Sequence, residues 1–322
     1  PQVSILIVGH RSRHHLGPCL TSLFAHTRGV SYEVIFVENA NNADGTLEFL
    51  AQQFPTVHVV PNHTNLGFAE GNNLAAQHAQ GRHLVLLNPD TQLEHDAISA
   101  LVACAQDHPR AGAWGGQTFL ANGAIDPGCQ QAGPGLCRGL LYAVGLGRWV
   151  HGGLSPNRTH PQNVAVLSGA FMMVTANTWH QVGGFDASFF MYNEEVDLCL
   201  RLQRDIGPCI MTPHAHVTHL VGGGAAHRPS RVLAMLQSNR RLDRKYHGPL
   251  RNTAAITINW LAGVARYFGS FPLALMGQRA RAHRLRAAYG PIVFHPSRWA
   301  FPPTFDFRSH PGDTSQAPPA RP

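Results

Sequence analysis

The chain has 322 residues, 44% of them hydrophobic and 13% charged, the composition of a folded globular protein, which excludes disordered, collagen-like and fibrous chains. Its formal net charge of +7 favours anionic partners such as nucleotide phosphates, acidic lipid or nucleic acid, without choosing among them. The six cysteines, Cys19, Cys104, Cys129, Cys137, Cys199 and Cys209, include no C-x-x-C pair, which argues against a zinc or thioredoxin-like centre and for reduced, buried thiols in a cytoplasmic protein.

Residues 3–8, Val-Ser-Ile-Leu-Ile-Val, are a short apolar run stopped by Gly9, the pattern of a buried parallel strand. Pro1 leads straight into it, so no secretory leader is read here. Apolar residues at Leu16, Cys19, Leu20, Leu23 and Phe24 then recur at helical spacing. A strand over 32–37, a helix over 46–53, a strand over 57–60, a helix over 69–78 and a strand over 83–87 follow in alternation. That alternation predicts an α/β fold with a doubly wound, mostly parallel sheet, whose ligands bind at the carboxyl ends of the strands. Those ends carry Gly9, Glu38-Asn39 and Asn88-Pro89-Asp90.

From about Ala111 the pattern changes: Gly and Pro are scattered through residues 115–161 with no long periodic segment. Residues 164–174 read as one or two strands, 178–182 as a helical turn closing on Gly183-Gly184, and 209–220 as a strand carrying His214, His216 and His219. Residues 230–246 read as a basic helix, 253–276 as a largely apolar stretch, and the last twenty or so as a Pro-rich disordered tail. Asn259, Arg266 and Pro272 interrupt the apolar stretch, which argues against a transmembrane helix. With Arg279, Arg281, Arg284 and Arg286 beside it, it reads either as an interfacial helix on an anionic membrane or as a buried helix with a solvated basic end.

The chemistry is expected around Phe189-Phe190-Met191-Tyr192-Asn193-Glu194-Glu195-Val196-Asp197, where an apolar approach delivers three carboxylates to a helix start. Asn193 suits the N-cap, acids suit the first turn, and Asp197 with Arg201 suits a modest surface pair. Carboxylates at the edge of an apolar wall can also act as bases. Asp90, at a strand end, is placed either to hold Mg²⁺ or Mn²⁺ against a diphosphate or to cap the next helix. His219, before the Gly-rich turn Gly222-Gly223-Gly224, is a second metal-ligand candidate. Asn65-Leu66-Gly67-Phe68-Ala69-Glu70-Gly71-Asn72-Asn73 opens a helix and lets backbone approach a phosphate, with neither P-loop spacing nor a dinucleotide fingerprint.

Together these stretches resemble the inverting family 2 glycosyltransferases of GT-A fold, and within them the rhamnosyltransferase-like branch of bacterial cell-surface polysaccharide synthesis. The resemblance spans roughly residues 3–248 and rests on five segments in order: 3–12, 37–40, 65–73, 86–91, and Gly183-Gly184-Phe185-Asp186 running on to Arg201. It implies that Glu38 reads the nucleobase or ribose, that Asn39 shapes the same pocket, and that Gly67, Phe68 and Asn72 belong to the loop along the nucleotide. Asn88-Pro89-Asp90 corresponds to the D-x-D motif, which makes Asp90 the metal carboxylate, and His219 completes the metal or diphosphate site. Ser168-Gly169-Ala170 resembles the acceptor-lining segment. Glu194-Glu195-Val196-Asp197 stands where the family usually shows Glu-Asp-x-Asp, which makes Glu195 the general base, with Glu194 and Asp197 as its setting. Two departures are plain: Val8-Gly9-His10-Arg11-Ser12 replaces Val-Asn-Tyr-Asn-Ser, and Glu195 replaces Asp.

The resemblance divides the chain into a nucleotide-sugar-binding half over residues 1–113, an acceptor-binding and catalytic half of the same domain over 114–225, a helical extension over 226–300 in possible membrane contact, and the tail 301–322. The implied partners are a nucleoside-diphosphate sugar and a glycan or lipid-linked glycan acceptor, with a divalent cation. The implied location is the cytoplasm, or the inner face of the plasma membrane. A catalytically silent binding or scaffold subunit is the alternative that the two departures motivate, and a nucleotidyltransferase is a further rival. Nucleic acid ranks last, because the basic residues are scattered and form no recognised motif.

Overall fold

The computed structural model describes residues 1–126, 130–131, 159–220 and 229–300. The chain opens β1 (Val3–Gly9), α1 (Arg13–His26), β2 (Tyr32–Glu38), α2 (Thr46–Gln53), β3 (His58–Val60), α3 (Gly67–Gln77) and β4 (His83–Leu87). These follow the predicted alternation to within a few residues. They continue with β5 (Thr91–Gln92), α4 (Ala97–Asp107), β6 (Ala113–Phe119), β7 (Gln130–Gln131), β8 (Gln162–Val164), β9 (Val166–Leu167) and β10 (Phe171–Thr175). Last come α5 (Ala176–Val182), α6 (Glu194–Asp205), β11 (Cys209–His219), α7 (Pro229–Tyr246), α8 (Pro249–Phe268), α9 (Ser270–Leu275), α10 (Arg279–Phe294) and α11 (Ser297–Ala300).

Nine strands make one sheet in the order β3-β2-β1-β4-β10-β6-β11-β5, with β8 on β11. β1 to β4 run parallel, β10 enters antiparallel between β4 and β6, and β11 is parallel to β6. The sheet is therefore mixed and mostly parallel, and the strand that breaks its direction also joins the two halves of the sequence. Strand alternation sends Val3, Ile5 and Ile7 of β1 to a layer with α1, α2 and α4, and Leu6 to a layer with α3, α5 and α6. Both faces are covered, which is why the strands read as continuous apolar runs.

Two elements escape the sequence pattern. β6 reads Ala-Trp-Gly-Gly-Gln-Thr-Phe, and paired glycines weaken a strand signal. The fold needs them: a Cβ on Gly115 would come within 2.6 Å of the Leu167 side chain, and one on Gly116 within 2.5 Å of both the Ala215 carbonyl and the Phe171 ring. α4 starts at Asp96, whose carboxylate accepts from Ser99 N at 3.1 Å, so the cap of that helix is Asp96 and not Asp90. Most of the irregular stretch over 115–161, the Gly-rich turn at 222–224 and the expected tail over 301–322 lie outside the described residues.

The N-terminal half meets the approach to the acid-bearing helix closely at Gly67. Gly67 begins α3 at φ +76, and Phe68 N donates to the Phe190 carbonyl at 2.8 Å. A Cβ on Gly67 would lie 2.2 Å from that carbonyl oxygen. Gly67→Ala should therefore lower unfolding free energy by about 1–3 kcal/mol or more, through left-handed strain and overpacking together, as read by urea denaturation.

Candidate active site

The carboxyl ends of β1, β2 and β4 meet where the sheet changes direction. At the end of β2, Glu38 is buried, and its two oxygens accept Ala40 N at 3.0 Å and Asn42 N at 2.5 Å. Asn39 is buried beside it and fully used: its amide donates to Asn65 Oδ1 and the Gly67 carbonyl, and its oxygen accepts from Asn62 and from Leu66 N. Asn39 N also donates to the Gly9 carbonyl at 2.8 Å. The pair thus stitches the first three strand-end loops into one wall. Asn72 donates to the Phe68 carbonyl at 2.9 Å, bracing the first turn of α3. Its neighbour Asn73 makes the long-range link, a reciprocal pair with the backbone N and O of Phe185 at 3.0 and 2.9 Å.

Register creates the second wall. His219 pairs across from Thr91, and Leu220 N donates to the Asp90 carbonyl at 2.7 Å, so the end of β11 lies against the Asn88-Pro89-Asp90 turn. His219 Nε2 sits 3.1 Å from Asp90 Oδ1, and its Nδ1 sits 2.8 Å from Asp126 Oδ2. Burial alone would lower the His219 pKa, but hydrogen bonds and charge from Asp126 and Asp90 outweigh it and raise it to about 9. Burial likewise works to raise the Asp90 pKa, and the bond and charge of His219 hold it below the usual carboxylate range. As it stands the His219 ring is protonated and bridges the two carboxylates; a divalent cation would take the place of the Nε2 proton between His219 and Asp90, with Asp126 orienting the ring and substrate oxygens as the remaining ligands. Among the described residues, no three His, Cys, Asp or Glu side chains form a ready cage, so a cation here would depend on those substrate oxygens.

The third wall is the start of α6. Tyr192 and Asn193 stand in consecutive left-handed conformations, φ 71 and 64, uncommon for residues with side chains. α7 holds them there: Ser238 Oγ donates to the Tyr192 carbonyl, Asn193 Nδ2 donates to Asn239 Oδ1 at 2.8 Å, and Arg231 stacks 5.8 Å over the Tyr192 ring. Asn193 occupies the N-cap position, yet its side chain makes no cap bond, because Asn239 engages it. Glu194 is buried, with Oε2 lacking a hydrogen-bond partner among the described residues. Burial, and then the charge of Glu195, push its pKa well above the ordinary carboxylate value. Glu195 is only half-buried. Asp197 is fully buried, and Arg201, Lys245 and Tyr246 all bond its carboxylate at 2.7–2.8 Å. Arg201 goes on to the carbonyls of Val182 and Gly184. The expected surface pair is therefore a buried knot, since α7 covers it.

Ser168-Gly169-Ala170 joins the walls. Asn88 N donates to the Ala170 carbonyl at 3.0 Å, while a Cβ on Gly169 would lie 3.1 Å from the Phe68 ring and 3.7 Å from Glu195 Cβ.

The family model described as glycosyl transferase family 2 matches residues 4–121. The N-acetylglucosaminyl-diphospho-decaprenol L-rhamnosyltransferase of Mycobacterium tuberculosis is 32% identical over 248 residues, covering 71% of this chain and 80% of that protein. The chain is a family 2 glycosyltransferase. It belongs to the rhamnosyltransferase-like branch, and its fold is GT-A. Two solved structures share that fold: the mannosyltransferase PcManGT from Pyrobaculum calidifontis in complex with GDP-Man and Mn²⁺ (TM-score 0.57, 14% identity, 92% of this chain and 88% of that one) and GalNAc-T7 with UDP, GalNAc and Mn²⁺ (TM-score 0.58, 13% identity, 94% and 58%).

In this glycosyltransferase, the residues singled out from sequence gather on these three walls: Glu38, Asn39, Gly67, Phe68 and Asn72 on the first, Asp90 and His219 on the second, Glu194, Glu195 and Asp197 on the third. Sequence reasoning missed Asp126, Asn73 and the α7 set of Ser238, Asn239, Lys245 and Tyr246. Asn73 closes the 65–73 segment, which carries no sign of its bond to Phe185, and no local motif marks the others, because each acts on a residue far away in the chain. Asp197→Ala in the transferase leaves Arg201 and Lys245 without their buried counter-ion; it should cost about 3–5 kcal/mol of stability in a denaturant melt.

Proposed function

We propose that the enzyme moves a hexosyl unit, rhamnose or a close relative, from a nucleoside-diphosphate sugar to a hydroxyl of a lipid-linked glycan, inverting the anomeric centre with help from a divalent cation. The observation that carries this reading is the Ser168-Gly169-Ala170 turn, which touches the Asp90 wall through Asn88 and the Glu195 wall through Gly169. The names of the relatives support it: one acts on a diphospho-decaprenol acceptor, and fold neighbours hold nucleotide or nucleotide sugar with Mn²⁺.

Glu38 and Asn39 shape the floor for the nucleoside, with the Phe68 ring beside it. Asp90 and His219 would hold Mg²⁺ or Mn²⁺, which supplies positive charge against the departing diphosphate. Asp126 keeps the His219 ring turned so that Nε2 faces Asp90. Glu195 accepts the proton of the acceptor hydroxyl as that oxygen attacks the anomeric carbon opposite the leaving group. Burial pushes the Glu194 pKa up, which sets its environment apart from that of the half-buried Glu195 beside it.

Glu195→Gln should lower kcat by about 10²- to 10⁴-fold while nucleotide affinity in the presence of Mn²⁺ stays unchanged in calorimetry. Transfer at the wild-type rate would move the base to another carboxylate. Sugar transfer also separates this reading from a silent binding subunit, for which no donor would be turned over. Asp126→Asn should weaken Mn²⁺ affinity about 10- to 100-fold, measured by titration in the presence of nucleoside diphosphate, by releasing the His219 ring.

A further inference from the structure

The charge of this protein is not spread evenly. Between residues 249 and 300 stand seven arginines and no lysine, aspartate or glutamate. Whole-chain totals of 25 Lys plus Arg and 18 Asp plus Glu leave 18 of each sign elsewhere, so these residues hold the entire excess of +7. They form α8 to α11, which have their own small core of Ile292, Trp299 and Ala300 closed by Leu236 of α7.

The outer side of these helices carries large apolar groups in the open. Phe268, Phe271 and Phe294 are 53%, 45% and 57% exposed, and all three rings lie within 6 Å, centroid to centroid, of Tyr267. They form one contiguous patch. Leu275 and Met276, 90% and 72% exposed, end the following helix beside it. Arg286 stacks 5.0 Å over Phe271, and Arg279, Arg281 and Arg284 are exposed along the same helix as Arg286. No helix among the described residues is long and apolar enough to cross a membrane.

We infer that α8 to α10 form a docking surface for an anionic phospholipid bilayer. Aromatic rings settle at the headgroup level, aliphatic side chains enter the acyl boundary, and arginines meet phosphate while their stems cover apolar surface. Two other occupants fit less well. A polyanion such as nucleic acid gains nothing from Leu275 and Met276. A second copy of the same face would set the exposed Arg279, Arg281 and Arg284 against the same three like charges. The surface lies one helix from the catalytic walls: α7 packs Leu236 on this extension, while Ser238 and Asn239 hold the turn before Glu194. The inference does not depend on the sugar-transfer reading, because vesicle binding and sugar transfer are measured separately.

Flotation of the full chain with phosphatidylcholine vesicles, with and without phosphatidylglycerol, tests it. Binding should require the anionic lipid and fall steeply as salt is raised. Replacing Arg279, Arg281, Arg284 and Arg286 by Gln should lower the partition coefficient on the order of 100-fold or more, at about fivefold per charge. Phe268→Ser with Leu275→Ser, both at exposed positions, should lower it about 10-fold or more with an unchanged melting curve. Equal binding to neutral vesicles, no binding to either kind, or indifference to the arginine replacements would overturn the inference. So would a duplex oligonucleotide that displaces the vesicles, or a stable dimer that the Phe268→Ser, Leu275→Ser variant dissociates.

Discussion

The Asp197 carboxylate is the interaction on which the acid-bearing end of the molecule depends. It is fully buried, and a buried charge is tolerable only where partners replace the water it has lost. Those partners come from two helices: Arg201 one turn along α6, and Lys245 with Tyr246 at the end of α7. Arg201 then fastens the turn after α5 through Val182 and Gly184, and Lys245 takes Asp186 in the approach loop at 2.6 Å. A single carboxylate therefore ties the segments before, within and behind the acid-bearing helix. Glu194 and Glu195 stand in the same first turn of that helix.

That anchoring explains how the chain holds Tyr192 and Asn193 in left-handed backbone. Each such residue costs of the order of 1–3 kcal/mol, and the surroundings must over-determine it. Ser238 and Asn239 engage the turn, and the Asp197 knot keeps α7 close enough for them to reach. The second wall is built by the opposite device. There a histidine stands between two carboxylates, and strand register, with His219 opposite Thr91, decides which residues meet. One side of the site is held by helix packing and the other by sheet pairing. The Ser168-Gly169-Ala170 turn spans the gap between them.

The basic C-terminal helices have two roles that composition alone blends together. The cations of α7 at positions 240, 241 and 245 bond groups of the protein itself: Arg240 is almost wholly buried with Asp243, Arg241 donates to the Ser188 carbonyl, and Lys245 serves Asp186 and Asp197. Those beyond residue 249 have no acids nearby in sequence, and four of them crowd one helix.

Much of the architecture was legible in the residues. β1 to β4 and α1 to α3 appear where apolar period and Gly or Asn punctuation put them, because both faces of a parallel sheet must be covered and the pattern records it. The positions of Glu38, Asp90, His219 and Glu195 at element ends were also legible, since strand ends and helix starts can be read locally. The glycine-rich β6 was hidden, because what demands Gly115 and Gly116 is the approach of Leu167, Phe171 and Ala215 from distant segments. Asp126 was hidden for the same reason: nothing near it in sequence says that it lies 2.8 Å from His219, 93 residues away. The sequence by itself determined the parallel half of the sheet, β1 to β4, the turns at its carboxyl ends and the residue types there. Only the tertiary structure decided that Asp197 is an anchor, that Asn239 engages the side chain expected to cap α6, and which carboxylate orients His219, because those are contacts between elements and no local period encodes them.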